Sequence, residues 1–207
     1  LGMSGLFLSV VSARKIHYGG WTLRLILAGS VISALFGAGL SLLKVLADSR
    51  NQLHAIEFWL MGSLGFTIWQ GLPLVIVITC VCLFILWKYR WRINLFALDS
   101  EVATSLGVRI QMEQMLLMTA AVFAVSATTS LSGIIGWIGL IVPHLSRRLF
   151  GSDTQYSLPG SMLIGAILIL VCDNGVRILS PSEIPLGIIT SFVGVIIFIL
   201  LMGGKKK

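Results

Sequence analysis

An all-α bundle of membrane-spanning helices is the fold class that the sequence predicts, and three observations carry that reading. First, 57% of the 207 residues are hydrophobic and 11% are charged, and the mean hydropathy is +0.98. A soluble domain carries about 25% charged residues, so this chain has too little charge to cover a water-facing surface. Second, the apolar residues gather into runs near the ~20 that a helix needs to cross a bilayer. They are apolar all round, unlike the alternating ~10-residue segments of a β-barrel. Third, the basic residues fall overwhelmingly on one side of those runs. The composition also excludes a disordered chain, and 3 Cys exclude a disulfide scaffold.

The elements follow in order. Leu1–Ala13 is too short to cross alone and reads as part of a span. Leu23–Ala47 is a long span with one Lys, and Ile68–Trp87 is an uninterrupted one. Met115–Leu131 is rich in Ala, Ser and Thr. Gly133–Leu145 is short and broken by Gly and Pro143, and Ser161–Leu179 and Pro185–Met202 complete the set. The expectation is a polytopic bundle of about five full spans plus part of a sixth, forming a single transmembrane domain over residues 1–207. The chain starts at Leu1, without Met, inside a hydrophobic segment and with no secretory cleavage signal. We read it as the later half of a longer protein, truncated at its N-terminal side.

The net charge of +7 then acquires a meaning. One side holds Arg14, Lys15, Arg24, Lys88, Arg90, Arg92, Arg109, Arg147, Arg148, Lys205, Lys206 and Lys207, which is 12 of the 15 basic residues. The other holds Lys44, Arg50 and Arg177. Such a split follows the positive-inside rule and places the C-terminus in the cytoplasm. It requires Gly133–Leu145 to cross or nearly cross, extended by Ser146–Phe150. No basic stripe with aromatic platforms survives this assignment, so nucleic acid is not an expected partner.

Small residues form stripes. Gly29, Ser33, Gly37 and Ser41 are spaced by four, with Ser30, Ala34 and Ala38 beside them, and Gly187, Ser191 and Gly194 repeat the theme in the last span. Such stripes either let helix backbones pack closely or make the inert wall of a translocation path. Asp173 and Arg177, at i and i+4, can pair on one helix face. Glu183 follows in a turn stiffened by Pro181 and Pro185. These three charges either anchor the helix at the interface or present a docking surface to the outside.

Lys88–Gln114 is the most polar part of the chain. Asp99–Leu106 reads as a short helix with acids at its start, and Gly107 suits its C-cap. This loop is either an amphipathic connector or a rigid handle for a cytoplasmic motor. No G-x-x-x-x-G-K-[ST] is present, so ATP is not bound here in a P-loop. Neither is there a G-x-S-x-G elbow, and Ser146 and His144 lie two residues apart, off a common helix face. An intramembrane enzyme is therefore a remote alternative. Cys80 and Cys82 do not share a face either, and Cys172 stands alone, so reduced structural roles are expected. His17, His54 and His144 are scattered, and no metal site is expected.

The run LRLILAGSVISALFGAGLSLL (23–43), FWLMGSLG (58–65), ALDSEVATSLGV (97–108), GIIGWIGLIVPHLSRRLFGSD (133–153), LPGSMLIGAILILVCDNGVRIL (158–179) and EIPLGIITSFVGVIIFILL (183–201) resembles the permease subunits of ATP-driven importers for iron–siderophore complexes, haem and cobalamin. The resemblance keeps order and spacing over almost the whole chain, and corresponds to the second half of a ten-helix permease. It implies transport of an iron chelate by alternating access in a bacterial inner membrane. A cobalamin or molybdate importer of the same type, or a degenerate half-permease, are the alternatives. It implies cytoplasmic ATPase subunits, an outer substrate-binding protein and a second permease subunit or half as partners, within the lipid bilayer. This chain would bind no cofactor, and ATP would act through the partner subunit.

Residue by residue, the resemblance makes Leu98, Asp99, Glu101, Ala103, Leu106, Gly107 and Val108 part of the ATPase-coupling segment, within the loop 88–114. Gly29, Ser33, Gly37, Ser41, Gly187, Ser191 and Gly194 become path-lining, with Thr22 at a gate. Arg177, with Glu183 near it, becomes a docking position for the binding protein.

Overall fold

The computed structural model describes residues 1–48, 52–65, 69–96, 110–179 and 184–203. Among them are nine helices in order: α1 (Gly2–Lys15), α2 (Trp21–Leu46), α3 (Gln52–Met61), α4 (Leu72–Lys88), α5 (Arg90–Leu95), α6 (Ile110–Ser132), α7 (Ile138–Phe150), α8 (Thr154–Leu179) and α9 (Leu186–Gly203). Three of them are long and apolar enough to cross a membrane, over Trp21–Leu46, Gln111–Ser132 and Thr154–Ile178. Leu72–Lys88 and Leu186–Leu201 are shorter apolar helices. At 1.5 Å per residue, a 26-residue helix such as α2 is about 39 Å long, more than a ~30 Å hydrocarbon core.

The helices run back and forth between two ends. At the basic end, Arg92 of α5 pairs with Glu113 of α6 at 2.5 Å. The Asn94 amide donates to Asp153 at 2.7 Å, just before α8. Arg148 at the end of α7 donates to the Leu201 carbonyl of α9 at 3.4 Å. Arg14, Arg24 and Met112 line one cleft there. Lys44 and Arg177 lie toward the opposite end, where Lys44 reaches Glu57 of α3 at 3.7 Å. The short segment after Gly133 therefore passes from one end to the other. It does so as α7, with residues 146–150 completing the helix as expected.

Two features depart from the sequence reading. α3 and α5 are additional short helices, of 10 and 6 residues, where the polar and mixed composition suggested only connections. α8 starts at Thr154, seven residues before Ser161. Pro159 lies inside its second turn, and Asp153 caps its start. Its carboxylate accepts the Gln155 N–H at 2.8 Å, and its carbonyl accepts the Ser157 N–H at 2.9 Å, as an N-cap residue should.

Packing proceeds in three clusters. Val10, Ala13, Leu25 and Ala28 join α1 to α2, with Met115 and Met118 of α6 against them. Cys82, Ala120 and Ala124 join α4 to α6. Cys172, Val176 and Leu186 join α8 to α9, with Leu64 and Ile135 against them. Alanines at the crossings bring backbones close, which matters where lipid offers no hydrophobic gain for helix association.

At the end opposite the basic one, three chain segments meet backbone to backbone. Gly133 has φ of +68°, and a Cβ there would run into the Trp59 carbonyl oxygen. A Cβ on Gly187 would strike the Met61 carbonyl oxygen. The Ser63 N–H donates to the Ser132 carbonyl at 2.8 Å, and Gly187 N–H reaches the Gly62 carbonyl at 3.5 Å. This junction locks the end of α3, the α6–α7 link and the start of α9 together.

Gly133→Ala combines overpacking with left-handed strain and is expected to cost about 2–5 kcal/mol. Thermal unfolding of the purified protein in detergent would show a clear drop. Gly37→Ala, where nothing lies within 4 Å of the added Cβ, should leave the midpoint unchanged or slightly raised. Equal effects of the two substitutions would refute the junction.

Candidate functional site

The small-residue stripe of α2 faces outward from the bundle. Only Leu25, Ala28 and Ile32, in the half of the helix near the basic end, are buried. Ser33, Gly37 and Ser41 are exposed, and Gly29 is half-buried. No atom lies within 4 Å of a Cβ built at Gly29 or Gly37. The Ser41 hydroxyl donates to the Gly37 carbonyl at 3.0 Å, and Ser30 to Leu27 at 2.9 Å. Such back-bonded hydroxyls are spent inside the helix. The face is therefore small and weakly interacting. Thr22 sits exposed in the first turn of the same helix, at the basic end.

The α9 residues behave differently. Gly187 belongs to the junction, and Gly194 is pressed against Trp137 and Ile141 of α7. Ser191 donates to the Gly187 carbonyl at 2.6 Å. Gly187 and Ser191 border an open apolar cleft of about 650 Å³, with Met61, Trp137 and Phe192 among its walls. α2 packs on α1, whereas α9 packs on α7, α8 and α3. The two stripes are thus different surfaces. Close helix packing within this chain accounts for Gly187 and Gly194, whereas no described residue lies against Gly37.

Trp137, which sequence reasoning did not single out, caps α7 with φ of +66°. It is the non-glycine with positive φ among the described residues. A bulky residue held in that region stores strain that the surroundings must support. The glycines at 133, 136 and 139 around it were the available signal.

At the end opposite the basic one, Arg177 Nε donates to Asp173 at 2.9 Å, the expected i, i+4 pair. The Arg177 side chain is 63% exposed and Asp173 20% exposed, so the guanidinium edge stays available to a partner. Glu183 lies outside the described residues. So do Leu98, Asp99, Glu101, Ala103, Leu106, Gly107 and Val108, which fall within 97–109. What the structure describes is how that loop is held. On one side α5 is tied to α8, because the Asn94 side-chain Oδ1 accepts the Thr154 N–H at 2.9 Å and also its hydroxyl. On the other, Arg92 grips the Glu113 carboxylate, itself 12% exposed, in the first turn of α6. Neither tie is visible as a sequence motif, because each joins residues far apart in the chain.

Catalytic geometry is lacking at the Ser146–His144 pair. Ser146 is fully buried and its hydroxyl donates to the Ser157 carbonyl at 2.7 Å, while His144 is exposed. Among the described residues no three His, Cys, Asp or Glu gather to hold a metal ion.

The comparisons decide the family. Residues 2–203 match the FecCD transport family. The chain belongs to that family. It is 42% identical, over 89% of its length, to the molybdate import system permease protein MolB of Haemophilus influenzae, of which it covers 55%. It is 39% identical, over 89% of its length, to the hemin transport system permease protein HmuU of Yersinia pestis, again covering 55%. A solved inward-facing structure assigned to the metal-chelate type of ABC transporter superposes with a TM-score of 0.91 at 39% identity, over 97% of this chain and 64% of that one. The chain thus spans about half the length of the curated relatives it matches. As a member of a transport family, with three helices among the described residues long and apolar enough to cross a membrane, it is a multi-pass membrane protein.

Asp153 ties the basic end together and titrates accordingly. The Gln155 backbone N–H, and then the Asn94 amide, hold its carboxyl below the ordinary 3.8. A depressed carboxylate contributes stability above its unfolded pKa, near 3.9, and loses it as pH falls through the folded value. The α5–α8 tie should therefore persist at neutral pH and weaken only in strong acid. Asn94→Ala should move the Asp153 titration up toward 3.8, read by NMR of carboxylate-labelled protein. An unmoved titration would remove Asn94 from the tie.

Proposed function

We propose that this chain is the membrane-spanning permease part of an ATP-binding-cassette importer. It moves an iron chelate, siderophore or haem, across a bacterial inner membrane, with its basic end and C-terminus in the cytoplasm. The observation that carries the reading is the family match over residues 2–203, and the small-residue face of α2 agrees with it. Its small residues and internally satisfied hydroxyls suit a path wall that lets a bulky chelate slide without binding it. The family match supports transport, and the hemin permease relative supports the substrate class. Thr22 at the basic end of the same helix fits a gate.

ATP is hydrolysed in separate cytoplasmic subunits, and this chain supplies the loop they push. Leu98, Asp99, Glu101, Ala103, Leu106, Gly107 and Val108 form the coupling surface. Force applied there passes through Arg92–Glu113 into α6 and through Asn94 into α8. On the outer side Arg177 and Glu183 receive the substrate-binding protein, and a second permease subunit or half completes the path across from α2. A molybdate substrate is the second reading, favoured by the 42% identity to MolB. Uptake of radiolabelled ferric siderophore, haem and molybdate by cells expressing the complete system separates the two.

Expressed from its native locus with a tag, the chain should bring down an ATPase subunit, and Leu106→Glu should abolish that capture while the bundle stays folded. Retained capture would displace the coupling surface. Arg177→Glu should weaken docking of the binding protein by about tenfold, as expected for reversing a partly exposed interfacial charge, without changing expression. Unchanged affinity in surface plasmon resonance would end the docking role.

A further inference from the structure

At the basic end a cleft of about 610 Å³ opens between the last turn of α1, the first turns of α2 and the start of α6. Arg14, Trp21, Arg24, Gln111, Met112 and Met115 line it. Its chemistry is divided. Met112, Met115 and the Trp21 ring make an apolar floor, and two guanidiniums and an amide make a polar rim. No acid is among the lining residues. Glu113, the nearby carboxylate on α6, is already engaged by Arg92.

The donors are partly committed and partly free. Arg24 Nε donates to the Gly19 carbonyl at 3.0 Å and Nη1 to the Ile16 carbonyl at 3.2 Å. A guanidinium has five N–H donors, so Arg24 is fixed in place with capacity left over. Arg14 is exposed and makes no ion pair among the described residues. The Trp21 indole N–H is buried without a hydrogen-bond partner, so this wall also holds an unused donor. α2 begins here with no side-chain cap and no acid in its first turn, which leaves the positive end of its dipole facing the same region.

We propose that this cleft is a binding site for the headgroup of an anionic phospholipid. The phosphate would sit between Arg14 and Arg24 at the start of α2, and the first acyl carbons on Met112, Met115 and Trp21. Basic pockets between spanning helices at the cytoplasmic face suit such headgroups, and Trp at that depth suits the lipid interface. The apolar floor distinguishes a lipid from free phosphate, which would gain nothing from two methionines. The site adjoins Thr22 in the first turn of α2 and rests on the proposed placement of the basic end in the cytoplasm, but not on which substrate is carried.

The test uses the complete, purified transporter in nanodiscs, followed by native mass spectrometry of retained lipids. In mixed phosphatidylglycerol and phosphatidylcholine, the wild type should retain the anionic lipid preferentially. Arg14→Gln, which breaks no bond seen in the fold, should lower that occupancy about fivefold, the order expected for one basic group at an anionic surface. Trp21→Phe should lower it further when combined. Met61→Leu, at the other end, is the control. Equal retention of the zwitterionic lipid, or unchanged occupancy in Arg14→Gln, would overturn the proposal. Displacement of the lipid by millimolar inorganic phosphate would also overturn it, in favour of a free-anion site. Loss of lipid whenever the ATPase is bound would assign the cleft to a protein contact instead.

Discussion

Every backbone N–H and C=O at membrane depth must find a partner within the protein, and that constraint organises this molecule. Helices meet it automatically. The difficulty lies where the chain leaves helical geometry, at 62–65 and 133–137. The glycine junction resolves it by letting three segments approach until carbonyls and amides serve one another. Ser63 binds Ser132 and Gly187 approaches Gly62, and side chains at Gly133 or Gly187 would force these strands of backbone apart. The direction of α7, the seating of α3 and the entry of α9 all depend on that contact.

Much of this was legible beforehand. Apolar runs and the one-sided distribution of Arg and Lys announced the long helices and their directions, because hydropathy and charge act locally and additively. The Asp173–Arg177 pair was legible for the same reason, since i, i+4 spacing is a property of one helix. Non-local features were not. Arg92–Glu113 spans 21 residues and Asn94–Thr154 spans 60, and no motif joins them. α8 starts before its apolar run because Asp153 caps it there, and hydropathy does not report a cap. α3 went unnoticed because a ten-residue helix of mixed composition has no strong period.

The ties at the basic end share a design. Asn94 is a neutral amide that both donates and accepts, so it serves Asp153 and Thr154 at once. Arg92, partly exposed at the surface, and the more buried Glu113 form a charge-assisted contact, shorter and stronger than a neutral one. The residues between these ties belong to the polar loop, so the loop's two anchors lead into different helices. Through Arg92 and Asn94, the helix that leads into the loop is bound to both α6 and α8.

The two glycine stripes look alike in sequence, and the physics of packing separates them. Small residues in a membrane helix gain nothing from lipid contact, since lipid tails are as apolar as leucine. They confer advantage only where another surface comes close. On α9 that surface is present: carbonyl oxygens at Gly187, and Trp137 and Ile141 at Gly194. On α2 the residues nearest the basic end are buried by α1, and beyond Ile32 the small face stays open. Glycine there also lowers helix propensity by about 1 kcal/mol relative to alanine, a cost without return in a lipid-facing wall. In a chain that spans about half the length of its relatives, such a face is one that another helix or subunit can cover as well as a path can follow. The two stripes thus differ in what this chain itself shows: on α9 the contacts at Gly187 and Gly194 are made within it, and on α2 beyond Ile32 they are not.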